Sequence, residues 1–269
     1  MAILITLLAV AVVYILMLRC RSGHPGLEAL RGWHYGHRGL HQKPQVPENS
    51  MAAFKAALDH GYGIEFDLHL LKDGNLAIIH DSSLKRTTGA AGNIEDLTTG
   101  ELTDYHLEGT EETIPTFRQV LELYGGKAPL IIELKPFRGN HEALVDAAVA
   151  AMEGYEGAWC MESFDPRCIY VLKKKYPHVI RGQLSENFLK NDPKMNKALA
   201  FVLTHCLENF LTVPDFVAYR FDQRNDSLST RICRKLWKAQ GVTWTLRKPE
   251  EHPVAVAEGW LPIFENYIP

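Results

Sequence analysis

Residues 61–81 read GYGIEFDLHLLKDGNLAIIHD, and the rest of the chain is understood from this stretch. Ile64, Phe66 and Leu68 alternate with Glu65, Asp67 and His69. A period of two is that of a β-strand, so the three polar side chains share one face. Carboxylates on an inward strand face are costly to bury unless a cation or a hydrogen-bond network holds them. Lys72-Asp73-Gly74-Asn75 reads as a turn, and a second short run from Leu76 ends in His80 and Asp81. The alternative is a solvated strand edge followed by a hairpin. Two carboxylates and a histidine on one face favour a metal site.

Outward from this stretch, strand and helix patterns alternate. Strands are expected at Trp33–Arg38, Gly63–His69, Leu130–Lys135, Trp159–Phe164, Val179–Leu184, Asp215–Arg220, Val242–Leu246 and Pro262–Glu265. Helices are expected between them, at Asn49–His60, Pro115–Tyr124, Glu142–Met152, Pro166–Tyr176, Pro193–His205, Leu228–Gln240 and Glu250–Glu258. Such alternation implies parallel pairing, and this number of strands matches a TIM-type (β/α)8 barrel better than an open doubly wound sheet. Residues Ser82–Ile114 interrupt the pattern as a long irregular segment, of the kind that forms functional loops or partly folded caps. No repeat and no glycine-rich nucleotide fingerprint is present.

The 269 residues are 46% hydrophobic and carry a net charge of −3, enough for a large core and without the basic field that nucleic-acid binding needs. Five cysteines are scattered with no Cys-x-x-Cys pair, which argues against a disulfide framework and a zinc ribbon and favours a reducing compartment. Ala2–Leu18 is an unbroken apolar run close to the lower limit for a membrane-spanning helix. It lacks the basic start and small-residue cleavage site of a signal peptide, so the expectation is an uncleaved transmembrane anchor over residues 1–20. A linker over 21–32 and a barrel domain over 33–269 then follow. Arg19, Arg21 and Arg31 all lie after the run, which places the barrel on the cytoplasmic side of the cell membrane, single-pass. Oligomeric state leaves no mark in the sequence.

In a TIM barrel, functional groups sit where strands end. His37 and Arg38 end the first strand, Glu65 and Asp67 the second, His80 the extra strand, and Glu133 and Lys135 the third. Three carboxylates make a hard oxygen site suited to Mg²⁺ or Ca²⁺. Two histidines can act as general acid and base near neutral pH, and Arg38 and Lys135 can hold a phosphate. Together these are the tools of displacement at a phosphoryl centre. Singly, Arg38 can instead pair with Glu48, and Lys135 can simply neutralise Glu133.

His37-Arg38-Gly39, Pro47-Glu48-Asn49-Ser50, Glu65-Phe66-Asp67, Lys72-Asp73-Gly74, His80-Asp81 and Arg86-Thr87-Thr88, in this order and spacing, resemble the glycerophosphodiester phosphodiesterase family. Ile114-Pro115-Thr116-Phe117, Glu133-Leu134-Lys135 and Ser163-Phe164-Asp165 extend the match. The resemblance implies a TIM barrel of the phospholipase-C-like phosphodiesterase type. It would hydrolyse small-molecule glycerophosphodiesters to sn-glycerol 3-phosphate and an alcohol with a divalent metal, Mg²⁺ or Ca²⁺. It further implies Glu65, Asp67 and Glu133 as metal ligands, His37 and His80 as the acid/base pair, Arg38 and Lys135 as phosphate ligands, and Glu48 as their support. The C-terminal end departs from the family's Trp-Thr-Val-Asn and Thr-Asp-x-Pro, reading Trp244-Thr245-Leu246-Arg247 and Phe264-Glu265-Asn266-Tyr267-Ile268-Pro269. Trp244 is then either an apolar wall for the substrate or barrel packing. Arg247 and Glu265 either select the alcohol or bridge two loops. A lysophospholipase D acting on membrane lipids, and a non-catalytic barrel that binds phospholipid head groups, are the alternative readings.

Overall fold

A computed structural model describes all 269 residues. Nine strands form one sheet: β1 (Tyr35–His37), β2 (Gly63–Leu70), β3 (Leu76–Ile78), β4 (Leu130–Leu134), β5 (Trp159–Ser163), β6 (Arg181–Ser185), β7 (Phe216–Arg220), β8 (Gln240–Leu246) and β9 (Trp260–Phe264). β1 pairs in parallel with both β2 and β9, which closes the eight parallel strands into a barrel. β3 alone is antiparallel, added to β2. The helices are α1 (Ala2–Met17), α2 (Met51–Asp59), α3 (Lys85–Thr88), α4 (Phe117–Tyr124), α5 (His141–Ala151) and α6 (Pro166–Lys175). They continue with α7 (Phe188–Asn191), α8 (Lys197–Thr204), α9 (Asn209–Thr212), α10 (Leu228–Lys235) and α11 (Glu251–Ala257). Two expected helices are shorter than their patterns: Pro193–His205 begins only at Asn196, the cap of α8, and Leu228–Gln240 ends at Lys235, ahead of β8.

The period of two sorts each strand into an outer and an inner set. Ile64, Phe66, Leu68, Leu130, Ile132 and Leu134 face outward and pack under α2, α4 and α5. The inner set makes the lumen: Tyr35, Ile131, Cys160, Leu184, Phe216, Ala218, Val242, Leu261 and Ile263 form one buried cluster. Rings fill this lumen only because small residues stand beside them. A Cβ on Gly182 would lie 1.9 Å from the ring of Phe216, its register partner on the next strand. Continuing the inner rows toward the strand ends replaces these apolar residues with charged or titratable ones on every strand but β8, where Trp244 stands, so the lumen is dry below and largely ionic above. The irregular segment Ser82–Ile114 folds as a cap with a core of its own, built from Leu84, Ile94, Leu97, Leu102 and Ile114 against Leu71, Ala77 and Ile79.

The expected transmembrane anchor is corrected. No helix is long and apolar enough to cross a membrane. The 16 residues of α1 reach about 24 Å at ~1.5 Å each, against a hydrocarbon core of about 30 Å. The apolar run is shortened because its end serves the protein. Leu18 and Cys20 are buried in the C-terminal core, Tyr14 and Met17 pack on it, and Tyr14 Oη lies 3.0 Å from Ser229 Oγ. Residues 21–32, expected as a linker, pack beneath the barrel. Arg21 grips Asp215 through Nε and Nη2, each at 2.5 Å, and a 3-10 turn over Pro25–Leu30 buries Leu27 and Leu30. Arg31 pairs with Glu28. Two of the three arginines counted toward membrane orientation are thus engaged by the fold itself.

One buried carboxyl is unpaid by any partner. Both oxygens of Glu208, in the loop before α9, lack a hydrogen bond, and burial raises its pKa from 4.5 to about 8. Raised pKa means the folded state holds the proton more tightly, so stability is fully present below about 4.5 and falls as pH climbs to about 8. Glu208→Gln should therefore gain on the order of 2–4 kcal/mol at pH 8 and almost nothing at pH 5, measured by denaturant unfolding. An equal gain at both values would contradict it.

Candidate active site

Strand register builds the site. His37 pairs with Glu65, and one level on, Asp67 pairs with Glu133 and Glu133 with Glu162 across β1, β2, β4 and β5. The carboxylates of Glu65, Asp67 and Glu133 converge, with one oxygen from each within 4.8 Å of the others, and all three residues are buried. Glu65 and Glu133 border a cavity of about 260 Å³ whose lining also includes His37, Arg38, His80, Phe164 and Trp244.

Two cations restrain the cluster. Lys135 Nζ lies 2.6 Å from Glu133 Oε1 and 3.0 Å from Asp67 Oδ1. Arg38 Nε lies 3.3 Å from Asp67 Oδ2, while its Nη1 donates to Glu48 Oε1 at 2.9 Å. Glu48 also takes Arg86 at 2.6 Å and Lys43. It stands behind Arg38 as a clamp and does not line the cavity. Both alternatives raised for Arg38 and Lys135 are thus realised, within the same cluster.

The loop explains its own composition. Arg38 adopts φ +55, and Gly39 follows at φ +81, where a Cβ would sit 2.8 Å from the Ala53 carbonyl carbon. Only glycine lets α2 come so close. Asn49, also at φ +55, donates to Asp67 Oδ2 at 2.8 Å, and Ser50 caps α2 by accepting from Ala53 N at 3.1 Å. Non-glycine residues in the left-handed region are strained, and two of them sit here.

Each histidine carries a carboxylate on one nitrogen. His37 Nδ1 lies 2.5 Å from Glu265 Oε2, and its Nε2 faces Glu65 at 3.9 Å. His80 Nδ1 lies 2.6 Å from Asp81 Oδ1, with Asp81 held in turn by Arg86 at 2.5 Å. The partners assign Nδ1–H to both rings and leave the Nε2 lone pairs free. Burial and the adjacent Arg38 lower the His37 pKa to about 4, Glu265 notwithstanding, and burial lowers that of His80. Arg247 Nε lies 2.6 Å from Glu265 Oε1, so the C-terminal departure forms a bridge, and that bridge holds a site histidine. His69, on the polar face of β2, turns instead to Glu95 at 2.7 Å beneath the cap.

The carboxylates fit a hard divalent cation. Burial, then Asp67 and Glu133, push the Glu65 pKa well up, and burial lifts Glu133 to about 7 despite Lys135. Asp67 lies well below its usual range because Lys135, His80 and Arg38 outweigh its burial. Asp67 Oδ1 is buried with the Lys135 ammonium 3.0 Å away and no hydrogen-bond partner of its own. Oxygens sharing a Ca²⁺ at about 2.3–2.6 Å can stand up to about 5 Å apart, which covers the observed spread.

Sequence reasoning missed Glu162, Glu186 and Arg220. Glu162 is almost wholly buried, one of its oxygens lacks a partner, and its signal was available: it stands two residues after Cys160 on an inward-facing row. Glu186 and Arg220 pair at 3.1 Å on the cavity wall, and only the fold brings their strands together. Trp244 meets Phe164 edge-on at 5.4 Å and lines the cavity, so it both packs and presents a wall.

Fold and site together define a closed (β/α)8 barrel with a cluster of buried carboxylates able to hold a hard cation, beside two carboxylate-oriented histidines. Residues 37–268 match the model of the glycerophosphoryl diester phosphodiesterase family, and the chain belongs to that family. It is similar to a glycerophosphodiester phosphodiesterase of Caldanaerobacter subterraneus subsp. tengcongensis, 37% identical over 158 residues, or 55% of this chain and 64% of that one. It is also similar to a lysophospholipase D of Rattus norvegicus, 32% identical over 136 residues, or 46% of this chain and 41% of that one. The chain thus matches less than two thirds of these curated relatives' own length. Among solved structures, the fold is that of an Oleispira antarctica phosphodiesterase in complex with the product sn-glycerol-3-phosphate. That likeness has a TM-score of 0.70 at 23% identity and covers 91% of this chain and 95% of that one.

Two outcomes check this geometry. Glu65→Ala should abolish Ca²⁺ and Mg²⁺ binding by calorimetry without lowering stability, because it relieves crowded buried charge. Retained binding would contradict the cation assignment. Glu265→Gln should cut kcat by about 10- to 100-fold with cation affinity unchanged, because it frees the His37 ring without touching the carboxylates. Undiminished turnover in that variant would leave Glu265 a mere loop bridge.

Proposed function

We propose that the chain hydrolyses glycerophosphodiesters to sn-glycerol 3-phosphate and an alcohol, with Mg²⁺ or Ca²⁺ at Glu65, Asp67 and Glu133. The observation that carries this is the convergence of three buried carboxylates, two histidines each backed by a carboxylate, and two cationic side chains around one cavity. A family match over most of the chain and a relative of that printed activity support it.

The cation, when bound, supplies positive charge to a phosphoryl oxygen. Everything else is done by this chain's own groups. Arg38 is aimed by Glu48 and lines the cavity, which sets its positive charge beside a phosphate oxygen bound there. Lys135 adds a second positive charge beside it. His37 is neutral at pH 7, with its Nε2 lone pair open, and is suited to take a proton from the attacking hydroxyl. His80, oriented by Asp81 through Nδ1–H, acts from its imidazolium form: a proton taken up at Nε2 passes to the departing alcohol and leaves the neutral ring. Trp244 and Phe164 offer an apolar wall and keep water from that side.

Hydrolysis of lysophospholipids is the second reading. It is favoured by the long exposed apolar helix α1 and by the lysophospholipase D among the relatives. A barrel that merely binds head groups is disfavoured, since it would need neither histidine held by a carboxylate.

A panel of glycerophosphodiesters and lysophosphatidylcholine, run with each metal and with chelator, tests both readings. Glycerol 3-phosphate should appear with metal and stop with chelator, and His37→Ala should lose at least about 10²-fold while remaining folded. Metal-independent turnover, or an active His37→Ala, would overturn the mechanism. Release from lysophosphatidylcholine alone would favour the second reading.

A further inference from the structure

From residue 1 to Val13 every position of the N-terminal segment is exposed, and α1 (AILITLLAVAVVYILM) contains no charged residue. Its one hydroxyl outside the tyrosine, Thr6, turns back to Ala2 O at 3.1 Å. A helix apolar on all sides normally lies in a protein core or in lipid. This one is held by its root only. Tyr14 reaches Ser229 on α10, and Trp237 Nε1 donates to Ile15 O at 3.0 Å.

The body around that root is unusual in the same sense. Leu199 and Phe201 on α8, Phe210 and Leu211 on α9, and Leu228 and Leu236 in and beside α10 are all exposed. They connect to the root through a chain of contacts. Phe201 lies 4.6 Å from His205 ring to ring, His205 Nδ1 is 3.4 Å from Ser229 Oγ, and Ser229 meets Tyr14. Lys173 on α6 donates to Leu211 O at 2.5 Å, which seats α6 against α9.

Charge within the helices of this side has one sign, although Asp226 stands before α10 and Lys175 of α6 is paired with Glu142 and Asp146. α1, α6, α8, α9 and α10 contain no aspartate or glutamate, in a chain that has 32 acidic residues. Lysines and arginines are plentiful there: Arg19 after α1, Lys173 and Lys174 on α6, Arg231 and Lys235 on α10, and Lys238 just beyond it. Arg19 lies close enough to Lys173 to lower its pKa, after burial and the nearer cations. Bare apolar residues ringed by cations are complementary to hydrocarbon beneath anionic head groups.

We propose that α1 with the acid-free face of α6, α8, α9 and α10 is a docking surface for an anionic lipid bilayer. α1 enters one leaflet without crossing it, because its free part is far shorter than the hydrocarbon core. The apolar residues of α8–α10 lie at the head-group boundary, and the basic collar contacts lipid phosphates. This surface stands apart from the reading of the active site and is tested without turnover.

The test is flotation of the full chain with vesicles of phosphatidylcholine, alone and mixed equally with phosphatidylglycerol, at low and high salt. The protein should float with the mixed vesicles, with binding reduced at least about tenfold by high salt. Leu4→Glu/Leu8→Glu should lose flotation by at least about tenfold while keeping the parent's thermal unfolding midpoint. Arg231→Glu/Lys235→Glu should float with the mixture no better than with phosphatidylcholine alone. Three results would overturn the proposal: no flotation of the parent chain with mixed vesicles, flotation unaffected by the Leu4/Leu8 pair, or a lipid-free dimer that this pair dissociates. The last would identify a second copy of the chain as the occupant.

Discussion

Four buried carboxyls at one end of the barrel, Glu65, Asp67, Glu133 and Glu162, are the constraint to which the rest of the structure answers. Like charges so close cannot all ionise in a dry site. Lys135 and Arg38 reach in from the strand and loop that carry them and keep Asp67 ionised, while Glu65 and Glu133 are pushed toward their protonated forms. Glu65, Asp67 and Glu133 would hold a divalent cation, whose charge would offset theirs more fully than two side chains can. The site is thus built as a deficit of positive charge, of the kind a hard cation would fill.

The periphery is organised to maintain it. Glu48 gathers Arg38, Arg86 and Lys43, and Arg86 also fixes Asp81, the partner of His80. One arginine therefore couples the clamp behind Arg38 to the orientation of a histidine. Glu265 does the same on the other flank, joining Arg247 to His37. Each histidine ends up with a single free nitrogen, and burial keeps His37 uncharged at neutral pH. In both cases the carboxylate that aims the ring comes from outside the acid cluster that faces the cavity.

The sequence carried much of this plainly. Alternation in Gly63–Leu70 and Leu130–Leu134 was enough to assign strands and to put Glu65, Asp67 and Glu133 on inner faces, because the side-chain period of a strand is local. His37, Arg38, His80 and Lys135 followed from standing at strand ends, and the structure brings the first three to one cavity rim and Lys135 against the carboxylates beside it. Less legible were the partners. Glu265 lies 228 positions from His37, and Glu186 lies 34 from Arg220. Such pairings depend on which strand ends meet when the barrel closes. The apolar run misled for a related reason. Hydrophobicity over Ala2–Leu18 says that the segment avoids water, not where it ends, and burial of Leu18 against Cys233 and its neighbours takes its last turn into the protein.

By itself the chain determined its strands, its inner and outer faces, the hard-oxygen chemistry of its three carboxylates, and an N-terminal segment that water does not suit. These are properties of neighbouring residues and of composition. Tertiary structure alone decided that Glu265 aims His37, that Glu48 is a clamp behind the site, that Glu162 is a fourth buried acid, and that α1 stands on a face without acids. Each of those depends on closure of β9 onto β1 and on helices packed side by side, and contacts across such distances in sequence leave no periodicity to read.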